Sequence, residues 1–335
     1  MIVAAVKEKN EFENRVSITP DTCKSYIKAG LDVIIEKNAG YNASFLDSVY
    51  KDSGAKILDR EQVLKKADIL ISVSTILENS DLQILKNKAV IVGGLNPYEN
   101  SDKIKKILGK NLSLISLDFL PRISRAQSMD ILSSQANLAG YKAVIEASSI
   151  FKKALPMMMT AAGTIIPAKC LVLGAGVAGL QAIATAKRLG CVVSAFDVRQ
   201  EVEEQVNSLG AKFVKVEDGE NTKETQIVYA KEMSEDYKKK QLKAIHDVAI
   251  NMDIIISTAL IPGKKAPILI EGKTIEKMKN GSILVDLASS AGGNIEGSKF
   301  GEQVKINSSI IYAPRNLPSL IAYDSSLLFS KNVLK

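Results

Sequence analysis

Short apolar runs alternate with amphipathic stretches along most of the chain, and the spacing predicts the elements. Residues 2–6, 32–35, 69–73, 89–92 and 112–116 read as strands, with helix patterns between them. Thr19-Pro20-Asp21 places an N-cap before a proline at the first helical position, and Gly30 ends that helix. A strand–helix–strand rhythm of this kind implies a mostly parallel sheet covered by helices.

Residues 128–153 are good helix formers with apolar spacing and no proline, which predicts a long connecting helix. A small-residue bend follows at 156–164. The alternation then resumes: strand 169–173, helix 177–189, strand 192–196, helix 203–209, strand 212–216. Two further strands, 253–257 and 282–286, flank a helix near 274–279. Residues 217–240 break the rhythm with a long charged run, the pattern of a mobile lid or an exposed helix. The chain closes with a strand at 310–312, a loop through Pro314 and Pro318, and an apolar helical tail from Ser326 that crosses back onto the first domain. The predicted fold class is α/β: two Rossmann-like domains with parallel sheets flanking a cleft, joined by long helices. Residues 1–130 with 312–335 form the first domain and 131–311 the second. A chain of 335 residues is long for one core and ordinary for two.

Composition narrows the function classes. With 46% hydrophobic and 24% charged residues, the chain is neither disordered nor fibrous. The net charge of +7 is carried almost wholly by scattered lysines, since only seven of the 44 basic residues are arginine. The densest run, Lys238-Lys239-Lys240, reads as a solvated helix face, and no aromatic interleaving or nucleic-acid module accompanies it. Cys23, Cys170 and Cys191 show no disulfide or metal spacing. The apolar segments 154–168 and 170–186 fall short of the roughly 20 residues a spanning helix needs, so any membrane contact passes through a partner. The start, residues 1–6, reads as a strand without a signal peptide, which implies a cytoplasmic location.

The chemistry concentrates at Gly174-Ala175-Gly176-Val177-Ala178-Gly179. A lone Gly-x-Gly-x-x-Gly is weak evidence, but here an apolar strand enters the turn and a helix of about three turns leaves it, the context that aims backbone N–H groups at a pyrophosphate. The first domain carries no such motif, so one nucleotide site per chain is expected. The next strand runs into Asp197, 18 residues after Gly179 (197 − 179), where this fold places the acid that bonds the adenosine ribose. A carboxylate there favours NAD over NADP, with Arg199 two positions on able to soften the repulsion of a 2′-phosphate. Thr258-Ala259-Leu260 follows the strand at 253–257 and should line the nicotinamide half of the site. His246, the only histidine, lies in a lysine-rich helical stretch and reads as a surface residue.

Pro121-Arg122-Ile123-Ser124-Arg125-Ala126-Gln127-Ser128-Met129-Asp130, residues 131–141, Pro156-Met157-Met158-Met159-Thr160-Ala161-Ala162-Gly163-Thr164, Asp197-Val198-Arg199, Tyr229-Ala230-Lys231-Glu232-Met233 and Thr258-Ala259-Leu260-Ile261-Pro262-Gly263-Lys264 form a further set of motifs. Together they resemble the soluble NAD(H)-binding subunit of proton-translocating transhydrogenases, in the alanine dehydrogenase/transhydrogenase family. The likeness covers nearly the whole chain, and the 122–130 stretch is its most specific portion. It implies that this chain binds NAD(H), that an NADP(H)-binding beta subunit supplies the hydride acceptor, and that a membrane-spanning segment couples Re/Si-specific transfer to proton translocation. It further implies a homodimer held on the cytoplasmic face of the inner membrane through its partners. The resemblance places Arg122, Gln127 and Asp130 in a catalytic cleft loop, with Ile123, Ser124, Ser128, Met129 and Ser133 around the cofactor and Tyr229 on a mobile loop. Relatives often have glycines before that tyrosine, whereas Ile227 and Val228 stand here. Many continue past the equivalent of Lys335 with a dimerisation hairpin.

Two other readings compete. Glu13-Asn14-Arg15-Val16 is similar to the start of alanine dehydrogenases, but that activity needs a lysine and a histidine where this chain reads Ile71-Ser72-Val73-Ser74 and Gly94-Leu95-Asn96-Pro97. Arg15 then either pairs within the first domain or touches ligand. A non-catalytic NAD-sensing module is the alternative of a different class.

Overall fold

The computed structural model describes residues 1–74, 77–121, 123–216, 235–261 and 263–335. Two compact units divide the chain: Met1–Leu138 with Asn316–Lys335, and Ala139–Arg315. Among the described residues each unit is built on one main sheet.

The first unit holds β1 (Ile2–Ala5), α1 (Pro20–Lys28), β2 (Asp32–Glu36), α2 (Asp47–Asp52), β3 (Lys56–Leu58), α3 (Arg60–Lys66), β4 (Ile69–Ser72), α4 (Asn79–Ile84), β5 (Val90–Gly93), α5 (Ser101–Leu108) and β6 (Ser113–Ser116). Its six strands are parallel, in the order β3-β2-β1-β4-β5-β6. That is the strand order of a Rossmann sheet. Strand β3 left no signal in the sequence because it is three residues long and no residue in it is fully buried. The cap foreseen at Thr19 forms a reciprocal box with Thr22, and Pro20 opens α1.

Helix α6 (Ile131–Ile150) contains the division between the units, and β7 (Met158–Thr160) and β8 (Gly163–Ile165) follow as an antiparallel hairpin. The sequence showed only a bend there, because the hairpin's residues are all exposed and lack a buried alternate face. The second unit continues with β9 (Lys169–Leu173), α7 (Val177–Arg188), β10 (Val192–Phe196), α8 (Glu203–Ser208), β11 (Lys212–Phe213), α9 (Glu235–Ala249), β12 (Ile254–Ser257), α10 (Gly272–Lys277), β13 (Ile283–Asp286), β14 (Gln303–Ile306) and β15 (Ser309–Tyr312). The sheet order is β11-β10-β9-β12-β13-β15-β14, parallel except for the β14–β15 pair. Leu171, Val172 and Leu173 on β9 and Ile254, Ile255 and Ile256 on β12 are almost fully buried, as strands covered on both faces must be.

Helix α11 (Ala322–Leu334) belongs to the first unit. Phe329 and Ala322 join the core formed by Val3, Ala5 and Ile35, and the Ser326 hydroxyl accepts the Val16 N–H at 3.0 Å. The charged stretch 217–240 splits: residues 235–240 open α9, a 15-residue helix on which Lys238, Lys239 and Lys240 are exposed, and the rest of the stretch, with Tyr229, lies outside the described residues.

Candidate functional site

In both sheets the winding direction reverses between the first strand and the fourth, so each unit has a switch point at the carboxyl edge, where ligands bind in this architecture. In the second unit the register aligns three strand ends there. Leu173 of β9 pairs with Phe196 of β10 and with Ser257 of β12. The next residue on each strand is Gly174, Asp197 or Thr258, and these three stand side by side just past the sheet.

The three motif glycines do different work. Gly174 takes φ +95°, which a side chain resists, and its N–H donates to the Phe196 carbonyl at 2.8 Å. A Cβ on Gly179 would come within 1.8 Å of the Gly174 carbonyl oxygen, so its absence lets α7 lie against the turn. Gly176 is the N-cap of α7, and a Cβ there would meet nothing within 4 Å. Backbone N–H groups at the start of a 12-residue helix thus border open space, which fits a pyrophosphate. Ala175 is buried and Val177 exposed on either side of it. Sequence reasoning missed Gly140 on α6, where a Cβ would come within 2.0 Å of the Ala178 carbonyl oxygen; its signal was a glycine in mid-helix, otherwise costly.

Asp197 is turned back onto the turn and onto Arg199. Its Oδ2 accepts the Ala175 N–H at 2.7 Å and Arg199 Nη2 at 3.0 Å, while Oδ1 accepts the Arg199 backbone N–H at 2.9 Å and Nε at 3.0 Å. A carboxylate offers about four acceptor positions, so this one is fully engaged. Val198 packs at the margin of the second unit's core. Thr258 closes the arrangement: its N–H reaches the Leu173 carbonyl at 2.8 Å, and its hydroxyl lies 3.2 Å from the carbonyls of Leu173 and Gly174. Ala259 packs against the core and Leu260 is half exposed. Asn294, not legible as a site residue in sequence, holds the loop that Thr258 begins, and Asp286, equally illegible, holds Asn294.

The stretch foreseen as a cleft loop belongs to the first unit. Arg122 lies outside the described residues. Ser124–Met129 form a 3-10 turn anchored by buried Ala126, with Ile123, Ser124, Gln127 and Ser128 exposed and Met129 half-buried. Asp130 caps α6, accepting the Ser133 N–H at 2.9 Å on Oδ1 and the Ser133 hydroxyl at 2.6 Å on Oδ2. The Ser128 carbonyl accepts from Asn332 at 2.8 Å.

The first unit's own switch point is filled by its chain. Glu8 takes the Ser72 hydroxyl at 2.9 Å, the Val73 N–H at 2.6 Å and the Ser74 hydroxyl at 3.1 Å. Burial, with Glu13 nearby, raises its pKa above the ordinary carboxylate value. Arg15 is spent on Glu13, at 2.7 and 2.6 Å, and on Gln135 at 2.7 Å. His246 corrects the surface reading: it is half-buried on α9, with Nδ1 2.8 Å from the buried Thr274 hydroxyl. That hydrogen bond joins it to α10, a link that the lysine-rich composition hid. Among the described residues there is no cluster of ligands for a metal ion, and no helix is long and apolar enough to cross a membrane.

Two sheets of Rossmann order, parallel but for the β14–β15 pair and one with a glycine turn feeding a helix at its switch point, define a protein of two Rossmann-like α/β units. Residues 4–139 match the description "Alanine dehydrogenase/PNT, N-terminal domain" and residues 143–335 "Alanine dehydrogenase/PNT, C-terminal domain". The chain belongs to the alanine dehydrogenase/PNT family. It is 49% identical to an NAD(P) transhydrogenase alpha-subunit chain of Rickettsia prowazekii, over 99% of this chain and 88% of that protein. Against the corresponding chain of Rhodospirillum rubrum identity is 47%, over 100% of this chain and 88% of that one. The crystal structure of transhydrogenase from Sinorhizobium meliloti superposes with a TM-score of 0.90 at 40% identity, covering 100% of this chain and 92% of that chain.

Proposed function

We propose that this chain is the NAD(H)-binding alpha subunit of a proton-translocating transhydrogenase. The observation that carries the binding reading is the open space at Gly176, at a helix N-terminus beside Asp197 and Thr258, in a chain with transhydrogenase relatives at nearly half identity. The nicotinamide supplies the hydride chemistry when bound. This chain's residues bind and align it: the N–H groups following Gly176 hold the pyrophosphate, Asp197 and Arg199 the adenosine ribose, and Thr258, Ala259 and Leu260 the nicotinamide side. Gln127 and Asp130, with Arg122, set the distance to NADP(H) carried by the beta subunit, and Ile123, Ser124, Ser128, Met129 and Ser133 contribute to holding NAD(H).

Direct hydride transfer between two nicotinamides needs no general base, so alignment is the chain's catalytic task. That suits a site region whose acids are committed to hydrogen bonds, and a protein whose single histidine is tied to Thr274. An alanine dehydrogenase reading is disfavoured by Arg15, tied to Glu13 and Gln135, and by Ser72 and Ser74, engaged by Glu8. In the cell the subunit works as a homodimer, peripheral to the inner membrane on its cytoplasmic face through the membrane-spanning partner.

The test is reconstitution. Mixed with an NADP(H)-binding beta-subunit domain, the purified chain should pass hydride from NADH to an NADP analogue. NADH binding without any transfer would leave a sensor and sink the transhydrogenase reading.

A further inference from the structure

Asn294 is fully buried at the carboxyl edge of the second sheet and uses nearly all its hydrogen-bonding capacity on one loop. Its side-chain Oδ1 accepts the Ser257 hydroxyl at 2.7 Å, and Nδ2 donates to the carbonyls of Ala259 at 2.9 Å and Pro267 at 2.8 Å. Its backbone N–H donates to Asp286 Oδ2 at 3.0 Å, and its carbonyl accepts from Leu269 at 2.8 Å and Ile270 at 3.0 Å. Asp286 in turn ends β13, in register with Ser257 on β12. One amide thus grips the residues on both sides of Thr258, which itself bonds back to the carbonyls of Leu173 and Gly174.

We propose that Asn294 is a positioning residue for the nicotinamide side of the cofactor site, bracketing Thr258 through Ser257 and Ala259 so that the wall formed by Thr258, Ala259 and Leu260 is fixed relative to the glycine turn. The inference rests on the NAD(H) reading above. The adenosine and pyrophosphate side has separate anchors, namely the Gly174 N–H on Phe196 and the Ala175 N–H on Asp197. Loss of Asn294 should therefore act on one end of the dinucleotide and spare the other. A residue that merely folds the loop into the core would weaken both ends together.

The experiment compares two probes, NADH and ADP-ribose, which lacks the nicotinamide, by titration calorimetry on wild type and on Asn294→Ser. The shorter side chain removes both amide donors. We expect the NADH dissociation constant to rise about 10-fold, as for a lost polar contact, while that of ADP-ribose stays within about 2-fold. If Asn294→Ser fails to fold, Ser257→Ala severs only the Oδ1 contact and should give the same asymmetry at several-fold. Equal weakening of both probes, or no weakening of either, overturns the proposal. A wild-type chain that binds neither probe overturns the NAD(H) reading itself, and the proposal falls with it.

Discussion

Arg199 grips Asp197 with two parallel contacts, Nε to Oδ1 and Nη2 to Oδ2, each 3.0 Å long. Only 7% of the Asp197 side chain is exposed, so the carboxylate is shielded from solvent, while 26% of the Arg199 side chain is exposed. The sequence suggested that the carboxylate would repel a 2′-phosphate and that Arg199 could soften that repulsion; the geometry puts the two in direct contact. A ribose hydroxyl donating to Asp197 must replace one of its four present contacts, from the Ala175 N–H or from Arg199, because the four acceptor positions are taken.

Cofactor choice should follow from that pair. NADH is expected to bind more tightly than NADPH, and Asp197→Ser should narrow the gap by about 1 to 3 kcal/mol. Arg199→Gln should widen it, since the carboxylate then faces the phosphate uncompensated. Calorimetric titration of both cofactors decides the matter. Equal affinities in wild type, unchanged by either substitution, would remove Asp197 from the site.

The glycines of the turn should separate binding from stability. Gly176→Ala adds a methyl group to open space, so the variant should melt as wild type does and yet lose NADH affinity. Gly179→Ala and Gly140→Ala drive a methyl group into backbone carbonyls and should lower stability by about 1 to 3 kcal/mol or more. Thermal melting and NADH titration on the three variants check this. A Gly176→Ala chain with unchanged NADH affinity would argue against a pyrophosphate at that N-terminus.

How far these features were legible in sequence depended on whether their signal was local. The strands through Leu171 to Leu173 and Ile254 to Ile256 announced themselves as uninterrupted apolar runs, since both faces are covered. The glycine turn was read from its flanking strand and helix. Asn294 left no trace, because its importance comes from three partners at residues 257, 259 and 267 that only the folded chain brings to it. The hairpin around Met159 was missed because no residue in it is buried, and the partner of His246 because Thr274 lies 28 residues away. Likewise the two units divide at Leu138 and Ala139, inside a continuous helix, where composition does not change.

Glu8 should make stability depend on pH. Its pKa in the fold is raised by burial, so the fold bears the cost of ionising it. For a raised pKa, the favourable contribution is present below the unfolded value of 4.5 and is lost as pH rises through the folded one. Glu8→Gln keeps an acceptor for Ser72 and Val73, and its amide can donate to the Ser74 hydroxyl. The variant should therefore melt a few degrees higher than wild type at pH 8, with the difference shrinking as pH falls toward 5. A constant difference across that range would show that Glu8 does not titrate there.

Gln127 should affect the rate of transfer and leave binding nearly alone. It is exposed on the 3-10 turn of the first unit, held from below by buried Ala126 and followed by Asp130, whose carboxylate is occupied in capping α6. The amide is thus presented on a short, anchored segment. In the proposed function it bonds toward the nucleotide of the beta subunit, so its loss spares the affinity of this chain for NADH. Gln127→Asn keeps the amide and withdraws it by one methylene, which changes reach without adding charge. Misplacement of reacting centres on the order of 1 Å can cost ~100-fold in rate. The expected signature is a near-normal NADH dissociation constant with hydride transfer in the reconstituted complex reduced by about that factor, the pattern of a contact used mainly in the transition state. Parallel loss of affinity and rate by the same factor would make Gln127 an ordinary binding residue and end the alignment role.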